Sequence, residues 1–211
     1  MKEWEIVSID ELEALPADDE GLMWRPVRRR FGIQSFGINA YTASEAGQRV
    51  VEEHAELDGH EELYFVATGA ARFTLNGDAI QVPAGSFVHA RPGVRRGAVA
   101  AEAGTTVLAI GAKAGEVFAP SPWEGTFAAF GYRRKGEVER GRRELHEAME
   151  AHPDDWQGPY NAACFEALEG DGDAALAYLE QAVALEQEKT LEWAAKDTDL
   201  DGLRDDPRFP G

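Results

Sequence analysis

The chain has 211 residues, 44% of them hydrophobic, with 39 Asp and Glu against 21 Lys and Arg and a formal net charge of −18 at pH 7. That acidity argues against nucleic acid or an anionic membrane surface as partner, since both select basic faces. A single cysteine, Cys164, excludes an intramolecular disulfide and any metal site built on several thiolates. The first residues, MKEWEIVSIDELEALP, are acidic and lack the apolar stretch of a signal peptide, and no apolar run is long enough to span a bilayer, so a cytoplasmic protein is expected.

Residues 1–24 read as a lead-in that packs on the strands after it and hides a sheet edge. Its strand-like piece is centred on Trp4, Ile6 and Val7, and its short helical segment, IDELEAL, has Ser8 or Asp10 available as cap. From Trp24 the pattern is that of short, Gly-punctuated strands. The cluster Arg25, Arg28, Arg29 and Arg30 is either a solvated strand face or an anion-binding wall. His54, Glu56, His60, Glu61 and Glu62 crowd just ahead of the apolar run LYFV, and such groups bind metals or move protons. Alternation puts Glu62, Tyr64 and Val66 on one strand face and Leu63 and Phe65 on the other. Asn76-Gly77 is a strong hairpin signal, and Ala103-Gly104 marks a further turn. Short strands in regular succession with no intervening helix predict a sandwich or barrel that ends near residue 118.

Residues 119–135, with Pro120, Pro122, Gly125 and Gly131, read as a linker. From Gly136 the apolar period changes from two to 3.6. VERGRRELHEAMEAHP sets Val138, Leu145, Ala148 and Met149 on one side. His152-Pro153-Asp154-Asp155 breaks that helix and caps the next, WQGPYNAACFEALEG. Gly170-Asp171-Gly172 turns into DAALAYLEQAVALEQ, and two shorter helical pieces come after it. Trp156, Trp193 and Phe209 are expected as core and cap, and Cys164 as a small buried apolar group.

Two stretches resemble known families. Glu62 followed by LYFVAT and Gly69 is similar to the end of the first motif of cupins, the RmlC-like double-stranded β-helix barrels, with His54 and Glu56 where that motif has His-x-His. Gly85-SFVHA-Arg91-Pro92-Gly93-Val94-Arg95-Arg96 follows the second motif, with Arg91 in place of a proline and Arg96 in place of its final histidine. Further on, Ala163, Ala175 and Ala182, with Leu179 between the last two, have the spacing of a tetratricopeptide repeat, and WAAKD with DLDGLRDDPRF resembles the segment closing a last repeat. The resemblances imply a multi-domain β + α protein. They set a cupin barrel over 25–118 after a lead-in over 1–24, a linker over 119–135, and a small helical hairpin module over 136–211.

The cupin resemblance implies a pocket where His54, Glu56, His60 and Glu62 are candidate metal ligands. Arg96, Glu62, Tyr64 and His89 are the candidate ligand-binding groups. Arginine has no lone pair to give a metal and instead pairs with carboxylates. The cofactor expectation is therefore either none or a divalent transition metal. Two functions are implied. The first is a binding or regulatory cupin that holds a small anionic molecule against Arg96 and meets a protein partner through its helices. The second is a metal-dependent cupin enzyme of dioxygenase or isomerase type using His54, His60 and Glu62. A homodimer paired through the strand around Trp4–Val7 is expected, with no nucleic-acid or membrane partner.

Overall fold

The local rules of the sequence build two sheets. A computed structural model describes residues 5–56 and 59–210. Its strands are β1 (Leu15–Pro16), β2 (Met23–Arg25), β3 (Gly37–Thr42), β4 (Arg49–His54), β5 (His60–Thr68), β6 (Ala70–Leu75), β7 (Asp78–Pro83), β8 (Phe87–Ala90), β9 (Arg96–Ala100) and β10 (Thr106–Lys113). A six-stranded sheet runs β1-β2-β3-β10-β5-β8, and a four-stranded sheet runs β4-β9-β6-β7. Every pairing is antiparallel. Asn76 (φ 50°) and Gly77 (φ 96°) make the β6–β7 turn, as the Asn-Gly signal predicts. Gly69 (φ 68°) turns β5 into β6, and a Cβ there would come within 2.9 Å of the Thr105 backbone.

Alternation along the strands sends one side inward. Tyr64, Val66, Phe73, Ala98 and Val107 are buried in one core with Val50 and Val51, and the Tyr64 and Phe73 ring centroids are 5.6 Å apart. The predicted Glu62–Tyr64–Val66 face is thus the inner face. Small barrels are filled by side chains in this way, which leaves their mouths for chemistry.

The N-terminal expectation needs correction. Trp4 lies outside the described residues, and residues 5–7 are not in a strand. IDELEAL makes only a 3-10 turn, Ile9–Glu11, closed by a capping box between Ser8 and Glu11. Leu12 is already extended there, and Leu15–Pro16 pairs with β2, where proline could not continue a helix. Val7, Ile9 and Leu12 pack with Val27, Ile38, Ala40 and Leu108. Only Arg25 of the arginine cluster is on a strand, β2, where its Nη1 donates to the Thr42 hydroxyl at 2.7 Å; Arg28, Arg29 and Arg30 are not. Val27–Phe31 is a short helix, α1, ended by Gly32 at φ 64°, with Arg28 buried and donating to the Ile33 carbonyl at 3.2 Å.

The chain divides into two compact units, Met1–Pro120 and Ser121–Gly211. The second holds α2 (Trp123–Arg134), α3 (Val138–Ala151), α4 (Gln157–Glu169), α5 (Gly172–Leu185) and α6 (Gln187–Ala194), then a 3-10 turn, Thr198–Leu203. The segment expected as linker therefore contains a helix. Its glycine Gly125 is a close contact rather than a break, since a Cβ there would lie 2.9 Å from Ala148 Cβ. Each of these α-helices packs on the next in the chain. Asp155 and Asp171 accept from the first turns of α4 and α5, from Gln157 N and Ala174 N, at 3.0 Å each. Ala163, Ala175 and Ala182 are wholly buried. Trp156 and Phe209 pack on the same core, whereas Trp193, which meets Trp156 edge-on at 4.8 Å, is exposed and so is not the core residue expected. No helix among the described residues is long and apolar enough to cross a membrane.

Candidate functional site

The charged cluster is built across the two sheets. Glu62 and Tyr64 come from β5 of the larger sheet, and His54 and Arg96 from β4 and β9 of the smaller. His54 and Arg96 are direct partners across β4 and β9, with register shifts on β4 between Arg49 and His54. Such bulges re-aim side chains beside functional sites. Glu56 follows β4, and its carbonyl accepts from Gly93 N at 2.7 Å, which ties this loop to the Pro92-Gly93 turn.

One carboxylate oxygen gathers the group. Arg96 Nε donates to Glu62 Oε2 at 2.8 Å, and Arg96 Nη2 and the Tyr64 hydroxyl donate to the same atom. Arg96 Nη1 donates to the Val94 carbonyl at 3.1 Å. The Arg96 side chain is 0% exposed and that of Glu62 15% exposed. His54 Nε2 is 3.4 Å from Glu62 Oε2 and 3.7 Å from Glu56 Oε1, and its Nδ1 contacts the Glu52 carbonyl at 2.8 Å. With Nδ1–H spent on that carbonyl, Nε2 is the atom left for proton exchange or coordination.

The electrostatics follow from this geometry. Burial alone would raise the Glu62 pKa, but hydrogen bonds from His54, Tyr64 and Arg96 reverse that and hold it at about 2. The Glu62 contact raises the His54 pKa against its burial. Burial, then the Glu62 charge, pushes the Tyr64 hydroxyl up, so it stays a donor. For Arg96, burial is outweighed by Tyr64 and Glu62, and its pKa rises.

The predicted residues divide. His54, Glu56 and Glu62 present donor atoms within 4.8 Å of one another. His60 is not with them. A Cβ on Gly111 of β10 would lie 2.5 Å from His60 Nε2, so the imidazole covers that glycine instead. His89 is also elsewhere: it pairs with Leu63 on the face opposite Glu62 and is exposed. Arg96 is inside, but its guanidinium is shielded and committed to Glu62, Tyr64 and Val94, so the expected anion against it has no access. The Val94 and Glu52 carbonyls carry no side-chain signal, so the sequence reading missed both.

The metal expected from the cupin resemblance fits poorly. A dication held by His54, Glu56 and Glu62 would compete for a carboxylate that already accepts from two guanidinium N–H groups. It would also sit beside a fixed positive charge, which costs electrostatic energy. The pattern's last imidazole is replaced by that same guanidinium.

No protein-family model matches the sequence, and no curated protein matches it significantly. Among solved structures, this chain is similar to KdgF from Halomonas sp. at 16% identity, covering 51% of this chain and 92% of that one, with a TM-score of 0.42. It is also similar to an RmlC-like cupin from Desulfovibrio desulfuricans at 26% identity, covering 51% and 97% respectively, with a TM-score of 0.41. A sugar phosphate isomerase from a cupin superfamily of Silicibacter pomeroyi is similar at 17% identity, covering 52% and 76%, with a TM-score of 0.45.

Proposed function

We propose that the first unit is a cupin-type barrel that binds a small polar molecule at a metal-free mouth formed by His54, Glu56 and Glu62. The observation that carries this is the buried Arg96–Glu62 pair. It supplies internally the positive charge that a metal would otherwise bring to Glu62. The half-exposed His54 and Glu56 side chains, 35% and 34% exposed, then meet the ligand. An acceptor-rich rim of this kind selects hydroxyl or ammonium donors rather than anions. We further propose that the helical unit is a tetratricopeptide-like module that meets a protein partner, and that the chain forms a homodimer.

Metal analysis of the purified protein, joined to thermal-shift screening of neutral polyols, amines and organic anions, tests the reading. The expected result is no stoichiometric transition metal and protection by hydroxyl- or amine-bearing compounds that is lost in Glu56→Gln. A stoichiometric metal, or protection by anions alone, overturns it. The homodimer is tested by light scattering, where a mass near the 23.1 kDa of one chain refutes it.

One observation favours an enzyme instead. The His54 Nε2–Glu62 contact, with Nδ1 on a backbone carbonyl, is the arrangement of a positioned proton carrier. In that case His54 rather than Glu62 is the base, because a carboxylate with a pKa of about 2 is a weak one. His54→Gln then abolishes turnover of a bound compound without abolishing its binding.

A further inference from the structure

The outer face of the four-stranded sheet carries a second feature, remote from the His54–Glu62 cluster in chemistry. Arg49 on β4 pairs with Val99 on β9, and Val99 pairs with Arg72 on β6. The two arginines therefore flank Val99 in one row across three strands. Their Cα atoms are two strand spacings apart, roughly 10 Å, a span two long side chains can close on one group. Arg72 and Thr74 alternate with the buried Ala71 and Phe73, so they point away from the core. Gly97 lies in the next row, opposite Thr74. It adds no side chain, and a Cβ there would meet the Glu53 backbone at 3.2 Å. The result is a concavity of about 300 Å³ lined by Arg49, Glu53, Arg72, Thr74, Gly97 and Val99. That is the lower end of the size of small-ligand sites.

The charges are the informative part. The chain is strongly acidic, and its arginines are widely paired, as Arg95 with Glu53, Arg142 with Glu166 and Arg208 with Asp173. The Arg49 and Arg72 side chains have no ion pair or hydrogen bond among the described residues. The one carboxylate of the concavity, Glu53, is held by Arg95 Nε at 2.6 Å and so is already offset. Two fork-shaped donors left unpaired over a glycine floor match a tetrahedral dianion, which accepts from two guanidinium groups at once.

We infer that the outer face of the four-stranded sheet binds a small phosphate-class dianion between Arg49 and Arg72, above Gly97 and Val99. This site goes beyond the proposed ligand at the barrel mouth and does not depend on it. The test titrates the full chain with inorganic phosphate and with pyrophosphate at low ionic strength, read by calorimetry. Variants are Arg49→Gln, Arg72→Gln and, as an equal loss of charge elsewhere, Arg91→Gln. The expected result is saturable binding of one anion per chain, weakened about tenfold by Arg49→Gln and by Arg72→Gln, because each removes a charge-assisted contact. Arg91→Gln leaves it unchanged, as does His54→Gln at the barrel mouth. All these positions are at least partly exposed, and an unchanged melting profile shows that the variants fold. No saturable binding by the parent chain overturns the inference, as does an equal weakening in Arg91→Gln, which would reduce the effect to net charge.

Discussion

Replacing Arg96 by methionine keeps most of the side-chain volume and removes the charge, so it isolates the buried pair. Arg96 is fully shielded, and it gives two of the N–H groups that converge on Glu62 Oε2. Without it Glu62 keeps only Tyr64 and His54 and is still largely shielded, its side chain 15% exposed. Breaking a buried pair by removing one partner costs about 3–5 kcal/mol. Glu62 is held at about 2 in the fold against an ordinary 4.5, a shift worth about 3 kcal/mol at neutral pH that His54 and Tyr64 share with Arg96. The sign is that of a depressed acid: the contribution is present above pH 4.5 and is lost as pH falls toward 2. Urea unfolding of the parent, Arg96→Met, Glu62→Leu and the double variant measures it, repeated at pH 7 and pH 3. Arg96→Met is expected to lose about 3–5 kcal/mol at pH 7, with a smaller loss at pH 3. The double variant is expected to be more stable than either single one, because no charge is then left buried without a partner. A loss within about 1 kcal/mol, the worth of an exposed pair, refutes the reasoning. So does a double variant no better than the singles.

Other outcomes rest on particular contacts. His54 is held toward its charged form by Glu62 and away from it by Arg96. Its imidazole therefore titrates above the ordinary histidine value in the parent and higher still in Arg96→Met, checked by NMR; its stabilising effect is full below pH 6.5 and fades as pH rises through the folded value. Arg96→His removes the cation from the His54–Glu56–Glu62 group and is expected to bind a divalent transition metal that the parent does not retain, as metal analysis after dialysis will show. In the helical unit, Gly141→Ala is expected to destabilise by about 1–3 kcal/mol, although alanine favours helix by about 1 kcal/mol. The added Cβ would lie 2.7 Å from the buried Phe165 ring and 2.8 Å from the Ala129 carbonyl. Chemical unfolding decides this, and a stability gain would mean that the α2–α3–α4 contact yields more than its packing implies.

What the sequence determined by itself was whatever depends on neighbours along the chain. The period-two stretch around Glu62, Tyr64 and Val66 set the inner face of β5. Asn76-Gly77 set a hairpin, because few residue pairs accept two positive φ values. The 3.6 period after Gly136 set α3 to α5, and the aspartates at 155 and 171 set the starts of α4 and α5. Where several distant parts must meet, the same reading failed. Residues 123–134 looked like a linker because glycine and proline break local order, yet Gly125 is needed where α2 touches Ala148. His60, His89 and Arg96 all had the right chemistry for one pocket. Only the pairing of β5 with β8 and β10 put His89 outside and laid His60 on Gly111. Only the meeting of two sheets closed Arg96 onto Glu62 and denied it to a ligand. Residue types and spacing state which groups a chain can offer. Burial and register decide which are spent on one another, because an internal contact removes the lone pairs and N–H groups that a ligand would use.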